Sequence, residues 1–182
     1  MEGDIIMASR REGKTTKSIM KKVENNSKII QDISGSLVES YCKPLDVEMD
    51  VIRLELKDNS ALSDDTLEKH ILELANILYF TGSAQEDLGI KEDICKSIRQ
   101  EVYSFYRNEA NGTVADKTAL AELACQQETI TLAIYSRAYK KVKLRMDAGY
   151  EMLNSLKKIM NKRIAEMELS NSRYINHSES GM

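Results

Sequence analysis

From Thr113 to Leu169 the chain contains no proline and a single glycine, Gly149. Within that stretch Ile134, Ala138, Val142, Met146, Gly149, Leu153, Leu156, Met160, Ile164 and Met167 recur at intervals of three and four. At 100° per residue they occupy about a third of a helix's circumference. Such a segment folds as a long amphipathic helix and needs something to cover its apolar side. The mean interval lies nearer 3.67 than 3.5, which favours a straight helix over a left-handed supercoil.

The predicted helix starts at Thr113, whose hydroxyl and Asp116 three residues on form a variant capping box. About 55 residues at 1.5 Å each reach roughly 80 Å. Short preceding helices would not cover that length, so either Gly149 breaks the helix or a second copy covers it. A homo-oligomer seam is expected along Leu120, Leu123, Ile130, Ile134, Val142, Met146, Leu153, Leu156, Met160 and Ile164.

The other side of this helix is basic. Nine of the 26 Lys and Arg residues lie between Arg137 and Arg163, where Asp147 and Glu151 are the only acids. The segment carries +7 in a chain whose formal net charge is −3, leaving −10 for the remainder. A concentrated cationic face on an acidic protein points to phosphate or to an acidic partner. Tyr135, Tyr139 and Tyr150 interleave with the cations, as in single-strand binders that pair phosphate attraction with base stacking. The expected nucleic-acid-binding set is Arg137, Lys140, Lys141, Lys143, Arg145, Lys158, Lys162 and Arg163. The tyrosines also flank the apolar arc, a position that suits packing residues better than stacking platforms.

The rest of the chain predicts an all-α helical bundle. One proline, no tryptophan, nine methionines and 30% charged residues suit helices, and 182 residues suit one core-bearing domain. Residues 1–14 are expected to be a flexible tail and 15–43 a helical arm, with Ile19, Val23, Ile30, Ile33 and Leu37 on one side. Its start is basic, through Arg10, Arg11, Lys14, Lys17, Lys21 and Lys22. Pro44 is expected to end it. Residues 44–62 then form an acidic linker, with a short extended segment near 45–57 as the alternative to continued helix. Ser63 is a candidate N-cap followed by Asp64 and Asp65, and Leu67, Ile71, Leu74, Ala75 and Leu78 are its helix's buried stripe. Gly82 offers a stop or bend. A further helix carries Ile94, Ile98, Val102 and Phe105 before the Asn111-Gly112 turn. Residues 63–169 make the helical core and oligomerisation helix, and 170–182 a disordered tail.

Catalysis finds little footing. Gly13-Lys14-Thr15 lacks the earlier glycine of a phosphate loop, since Ala8 stands in its place. The two histidines, His70 and His177, belong to no metal-ligand spacing or nucleophile constellation. Neither cofactor nor metal is expected, and the protein is not expected to be an enzyme. Cys42, Cys95 and Cys125 are odd in number and widely spaced, and no apolar leader or spanning segment is apparent, which points to the cytoplasm and away from membranes.

Leu67 to Tyr106, the turn at Gly112, and a long helix bearing Met152-Leu153-Asn154-Ser155-Leu156-Lys157-Lys158 and Arg163 together resemble the recombination mediator proteins of T4-like phages. The resemblance covers residues 60–168. This chain differs in its additional N-terminal helix, its acidic region and its longer last helix. The resemblance implies a small oligomeric helical protein, acting in the host cytoplasm, that helps load a RecA-type recombinase onto single-stranded DNA covered by single-strand binding protein. The alternative is a helical scaffolding adaptor of phage assembly whose basic face docks an acidic protein.

Overall fold

The computed structural model describes the backbone of residues 2–57 and 62–179 and the side chains of 17–57 and 62–170. The chain is all-α: α1 is Glu2–Lys57, α2 Asp64–Glu109, α3 Val114–Ala124 and α4 Gln126–Glu179. No strand occurs among the described residues. The helical ladder includes most of the stretches expected as tails, since α1 starts at Glu2 and α4 reaches Glu179. Residues 58–61 of the expected linker and 180–182 lie outside the description.

Two compact units are present. One comprises residues 1–39 and 87–140, the other 40–86 and 141–182.

The second unit is built from α1, α2 and α4, whose pairings give their directions. Glu48 and Glu55 of α1 meet His70 of α2, and Gly149 of α4 lies against both Leu45 and Leu78. Rising numbers on α1 thus meet falling numbers on α2, so these helices are antiparallel. Arg145 meets Asp46 near the start of the α4 portion, and Arg163 meets Asp64 near its end. The helix α4 therefore runs alongside α1 in the same direction. Cys42, Leu45, Ile52, Leu67, Leu74, Leu78, Val142, Met146, Leu153 and Leu156 fill the space between them.

This packing explains four departures from expectation. Pro44 sits inside α1 and does not end it. An interior proline costs about 3 kcal/mol, but Cys42, Leu45 and Ile52 are at most 1% exposed. Burial of each large side chain contributes about 1.5–3 kcal/mol, so continuing the helix wins, and Pro44 itself faces solvent. For the same reason residues 45–57 are helical, with neither strand nor linker among those described. Gly82 lies within α2, where a Cβ would stand 3.6 Å from the Met146 methyl, so it marks close helix contact instead of a stop. Finally, Gly149 does not break α4. A Cβ there would meet Leu78 Cδ2 at 2.9 Å and Leu45 Cδ1 at 3.2 Å, so glycine lets α4 approach both neighbours.

The break expected at Gly149 occurs at Cys125. That residue takes φ −87° and ψ 13°, its N–H donates to Ala121 O, and a new helix begins at Gln126. Its buried thiol donates to the Arg99 carbonyl at 3.7 Å, while Arg99 reaches Thr129 Oγ1 at 2.9 Å and Glu122 at 2.8 Å. These contacts fasten α2 to α3 and α4 within the first unit, whose core holds Ser34, Val38, Leu88, Ala121, Cys125, Ile134 and Ala138. The Asn111-Gly112 turn is present with Gly112 at φ 118°, and the capping box at Thr113 and Asp116 is complete. Ser63 caps α2 by accepting from Thr66 N at 3.2 Å.

The apolar stripe of α4 is largely spoken for. Ile134, Val142, Met146, Leu153 and Leu156 are at most 7% exposed and pack within their own chain. Helices α1 and α2 are far longer than their interrupted sequence patterns implied, and they provide the cover assigned to a second copy. Of the expected seam, Ile130 and Met160 are half-buried, and only Leu120, Leu123 and Ile164 remain exposed. Conversely, Ile19, Val23 and Ile33 on the one side of the arm, and Ile94, Ile98 and Phe105 of the further helical pattern, are exposed. In the α2 stripe Leu67, Leu74 and Leu78 are buried, while Ile71 is half-buried and Ala75 exposed.

Two glycines test this packing by contrast. Gly149→Val should lower unfolding free energy by about 1–3 kcal/mol through overpacking. Gly35→Ala, where a Cβ meets nothing within 4 Å, should raise it by about 0.5–1 kcal/mol. Denaturant unfolding of the two variants checks both signs; stabilisation by Gly149→Val would mean that the helices do not meet there.

Candidate nucleic-acid interface

The solvent side of α4 follows from the core it opposes. With Val142, Gly149, Leu153 and Leu156 turned inward, the residues that directly follow Val142, Gly149 and Leu156 stand about 100° round the helix, on its solvent-facing flank. In the second unit Lys143, Tyr150, Lys157 and Lys158 are all exposed. Lys143, Tyr150 and Lys157 are spaced by seven, which places them in one row about 10 Å apart. Among the described residues no ion pair or hydrogen bond engages Lys143, Lys157 or Lys158. Lys157 was absent from the expected set, although its seven-residue spacing from Tyr150 was visible in the sequence. In the first unit Arg137 and Lys140 are likewise exposed and unpaired among described residues.

Other expected cations have different work. Arg145 pairs with Asp46, and Arg163 Nη1 reaches Asp64 at 2.7 Å and the Leu62 carbonyl at 2.5 Å. They are 18 residues apart, five full turns, so both stand on the same core-flanking edge of α4. Their targets lie in the acidic stretch 46–73, whose nine acids and three bases sum to −6. Arg145 and Arg163 therefore fasten α4 to its neighbours and correct the assignment of all eight cations to one ligand face. Lys162 pairs with Glu166 at 3.7 Å on the same helix, and Lys141 also has an intrachain partner.

The three tyrosines divide as well. Tyr139 is half-buried, with its ring edge 3.5 Å from the Cβ position of Gly89, and Tyr135 is half-buried too. Both are packing residues. Tyr150 is 46% exposed, more than either of the other two.

Sequence reasoning missed a buried polar cluster between α1 and α2 of the same unit. His70 is 5% exposed, with Nδ1 at 2.7 Å from Glu48 Oε1 and Nε2 at 3.0 Å from Glu55 Oε2. Glu48 and Glu55 are seven apart and share the side of α1 that carries Leu45 and Ile52. Acids interrupting an apolar stripe were the available signal. Both ring nitrogens donate to the carboxylates when the imidazole is protonated. Burial pulls the His70 pKa down, but hydrogen bonds to Glu55 and Glu48, and then their charges, outweigh it, so the net displacement is upward. Burial raises the thiol pKa of Cys42 despite nearby Arg145, and raises those of Cys95 and Cys125. None of the three resembles an activated nucleophile. No cluster of His, Cys, Asp or Glu suited to a metal occurs among the described residues. Among them, too, no helix is long and apolar enough to cross a membrane.

No protein-family model, curated protein or solved structure matches this chain.

The bridge has a pH signature. A histidine pKa raised by folding contributes stability that is fully present below its unfolded value, about 6.5, and is lost as pH rises through the folded value. Thermal stability should therefore fall from pH 6 toward alkaline pH on account of His70. In His70→Gln that component should flatten, which a Tm series across pH in both proteins will show.

Proposed function

We propose that this protein binds single-stranded nucleic acid along the solvent face of α4 and acts as a recombination mediator, helping a RecA-type recombinase to load onto DNA coated with single-strand binding protein. The observation that carries the binding reading is the unpaired row Lys143, Tyr150 and Lys157, with Lys158 beside it, on a chain of net charge −3. Lysines spaced along a helix attract successive phosphates, and an exposed tyrosine between them offers a stacking face for any base. The row provides attraction and stacking, which is binding chemistry and not turnover. The mediator role, the recombinase and the single-strand binding protein come from the resemblance to phage recombination mediators.

The second reading is a helical adaptor in assembly, in which the same cations dock an acidic protein. Leu72, Tyr79 and Phe80 favour it, because these three exposed apolar residues on α2 of the same unit are 64%, 73% and 63% exposed. Their exposure suits protein contact better than phosphate contact.

Fluorescence anisotropy with a labelled single-stranded oligonucleotide separates these readings. The triple variant Lys143→Ala, Lys157→Ala, Lys158→Ala should bind at least tenfold more weakly. Engagement of about four phosphates gives a log–log salt slope near −3 for wild type, and the variant's slope should be shallower. Tyr150→Ala should cost about 1–3 kcal/mol with the slope unchanged. Equal affinity of wild type and the triple variant would eliminate this interface and leave the adaptor reading.

A further inference from the structure

Among the described residues, one buried side-chain oxygen has no hydrogen-bond partner: Oε2 of Glu128, at the start of α4. It borders a cavity of about 210 Å³ in the first unit, lined also by Cys95, Ile98, Gln127 and Thr131. A carboxylate oxygen withdrawn from water without a donor is costly. The walls are mainly apolar, and Ile98 is 46% exposed. The chemistry that fits is an aliphatic stem ending in a cation, which buries its methylenes against Ile98 and Cys95 and brings its head to Glu128.

The same unit displays that chemistry elsewhere, unused. Every residue from Lys17 to Ile29 is exposed, although all are helical. A helix segment with no buried side draws little stability from packing, and helical stability comes mainly from such packing. On this segment and the turn after it, Ile19, Lys22, Val23, Ile29 and Ile33 share an arc of about 120°. Lys22 is the one cation in that arc, and no described residue pairs with it. The apolar members are 45–61% exposed. An apolar arc with one unpaired lysine is complementary to an apolar cavity with one unpaired carboxylate.

The chain's own arm does not fill the cavity, since residues 17–29 are exposed and no described residue pairs with Lys22. Farther along α1, Ser34 and Val38 are 1% and 2% exposed, and they anchor the continuous helix that carries residues 17–29. We infer that the α1 arm of one copy docks on the first unit of a second copy, with Lys22 entering the cavity to pair with Glu128. The exposed α2 residues Ile94 and Ile98 then meet the arm's isoleucines and valine. The interface is heterologous, because arm and cavity are different surfaces, and it repeats into a ring or filament. This inference is independent of the nucleic-acid reading.

Sedimentation velocity of the full chain, from 1 to 100 µM, should show concentration-dependent association. Lys22→Glu and Glu128→Lys should each weaken it ~30-fold or more, as expected for breaking one member of a buried interfacial charge pair. Circular dichroism should show both variants still helical, with Glu128→Gln as a milder pocket variant if the lysine disturbs folding. Mixing Lys22→Glu with Glu128→Lys should restore association, since the reversed arm meets the reversed cavity while the native arm meets the native cavity. A monomeric wild type over this range overturns the proposal. So does undiminished association of Lys22→Glu, or a mixture that associates no better than its components.

Discussion

The second unit depends on α1 remaining helical through Pro44. If the helix ended there, Leu45, Glu48, Ile52 and Glu55 would not lie on one side facing α2 and α4. The lost hydrogen bond and ring clash amount to about 3 kcal/mol, while Leu45 and Ile52 downstream of the proline are at most 1% exposed. Because α1 persists, Leu45 can meet Gly149, His70 can lie between two carboxylates, and Asp46 can hold Arg145. The inward phase of α4 is then set. The flank with Lys143, Tyr150 and Lys157, left exposed on the side away from Arg145 and Arg163, is a consequence of that packing.

Electrostatics divides along the same line. Asp46 and Asp64 take up Arg145 and Arg163 on one flank of α4, whereas Lys143 and Lys157 on the other flank, with Lys158 beside them, have no partner among the described residues. The clamps themselves contribute modestly: Arg145 and Asp46 have side chains 41% and 44% exposed, and pairs so exposed are worth about 0–1 kcal/mol. They orient α4 more than they stabilise it. The His70 cluster is more consequential for being buried, since a neutral imidazole cannot donate to Glu48 and Glu55 at once.

The helical character of the chain, the Ser63 cap, the Asn111-Gly112 turn and the Thr113 capping box were legible because each depends on neighbouring residues alone. Pro44, Gly82 and Gly149 were misjudged for the opposite reason. Local propensity disfavours helix at all three, and burial by partners distant in sequence overrides it. Cys125 gave no local warning, since its break is tied to Arg99, 26 residues earlier. The stripe of α4 was recognised, but its cover was not, because α1 and α2 appeared as short pieces when cut at Pro44 and Gly82. For the candidate site, sequence showed the concentration of charge and not its division. Arg145 looks like Lys143 until Asp46 is seen beside it.

The central claim is that the flank of α4 bearing Lys143, Tyr150 and Lys157, and not the one bearing Arg145 and Arg163, meets nucleic acid. Photo-crosslinking of wild-type protein to a single-stranded oligonucleotide carrying 5-iodouracil, followed by peptide mapping, addresses it directly. The predicted adduct lies on the peptide containing Tyr150 and disappears when excess unlabelled single strand is added. Adducts confined to peptides outside α4 would contradict the account.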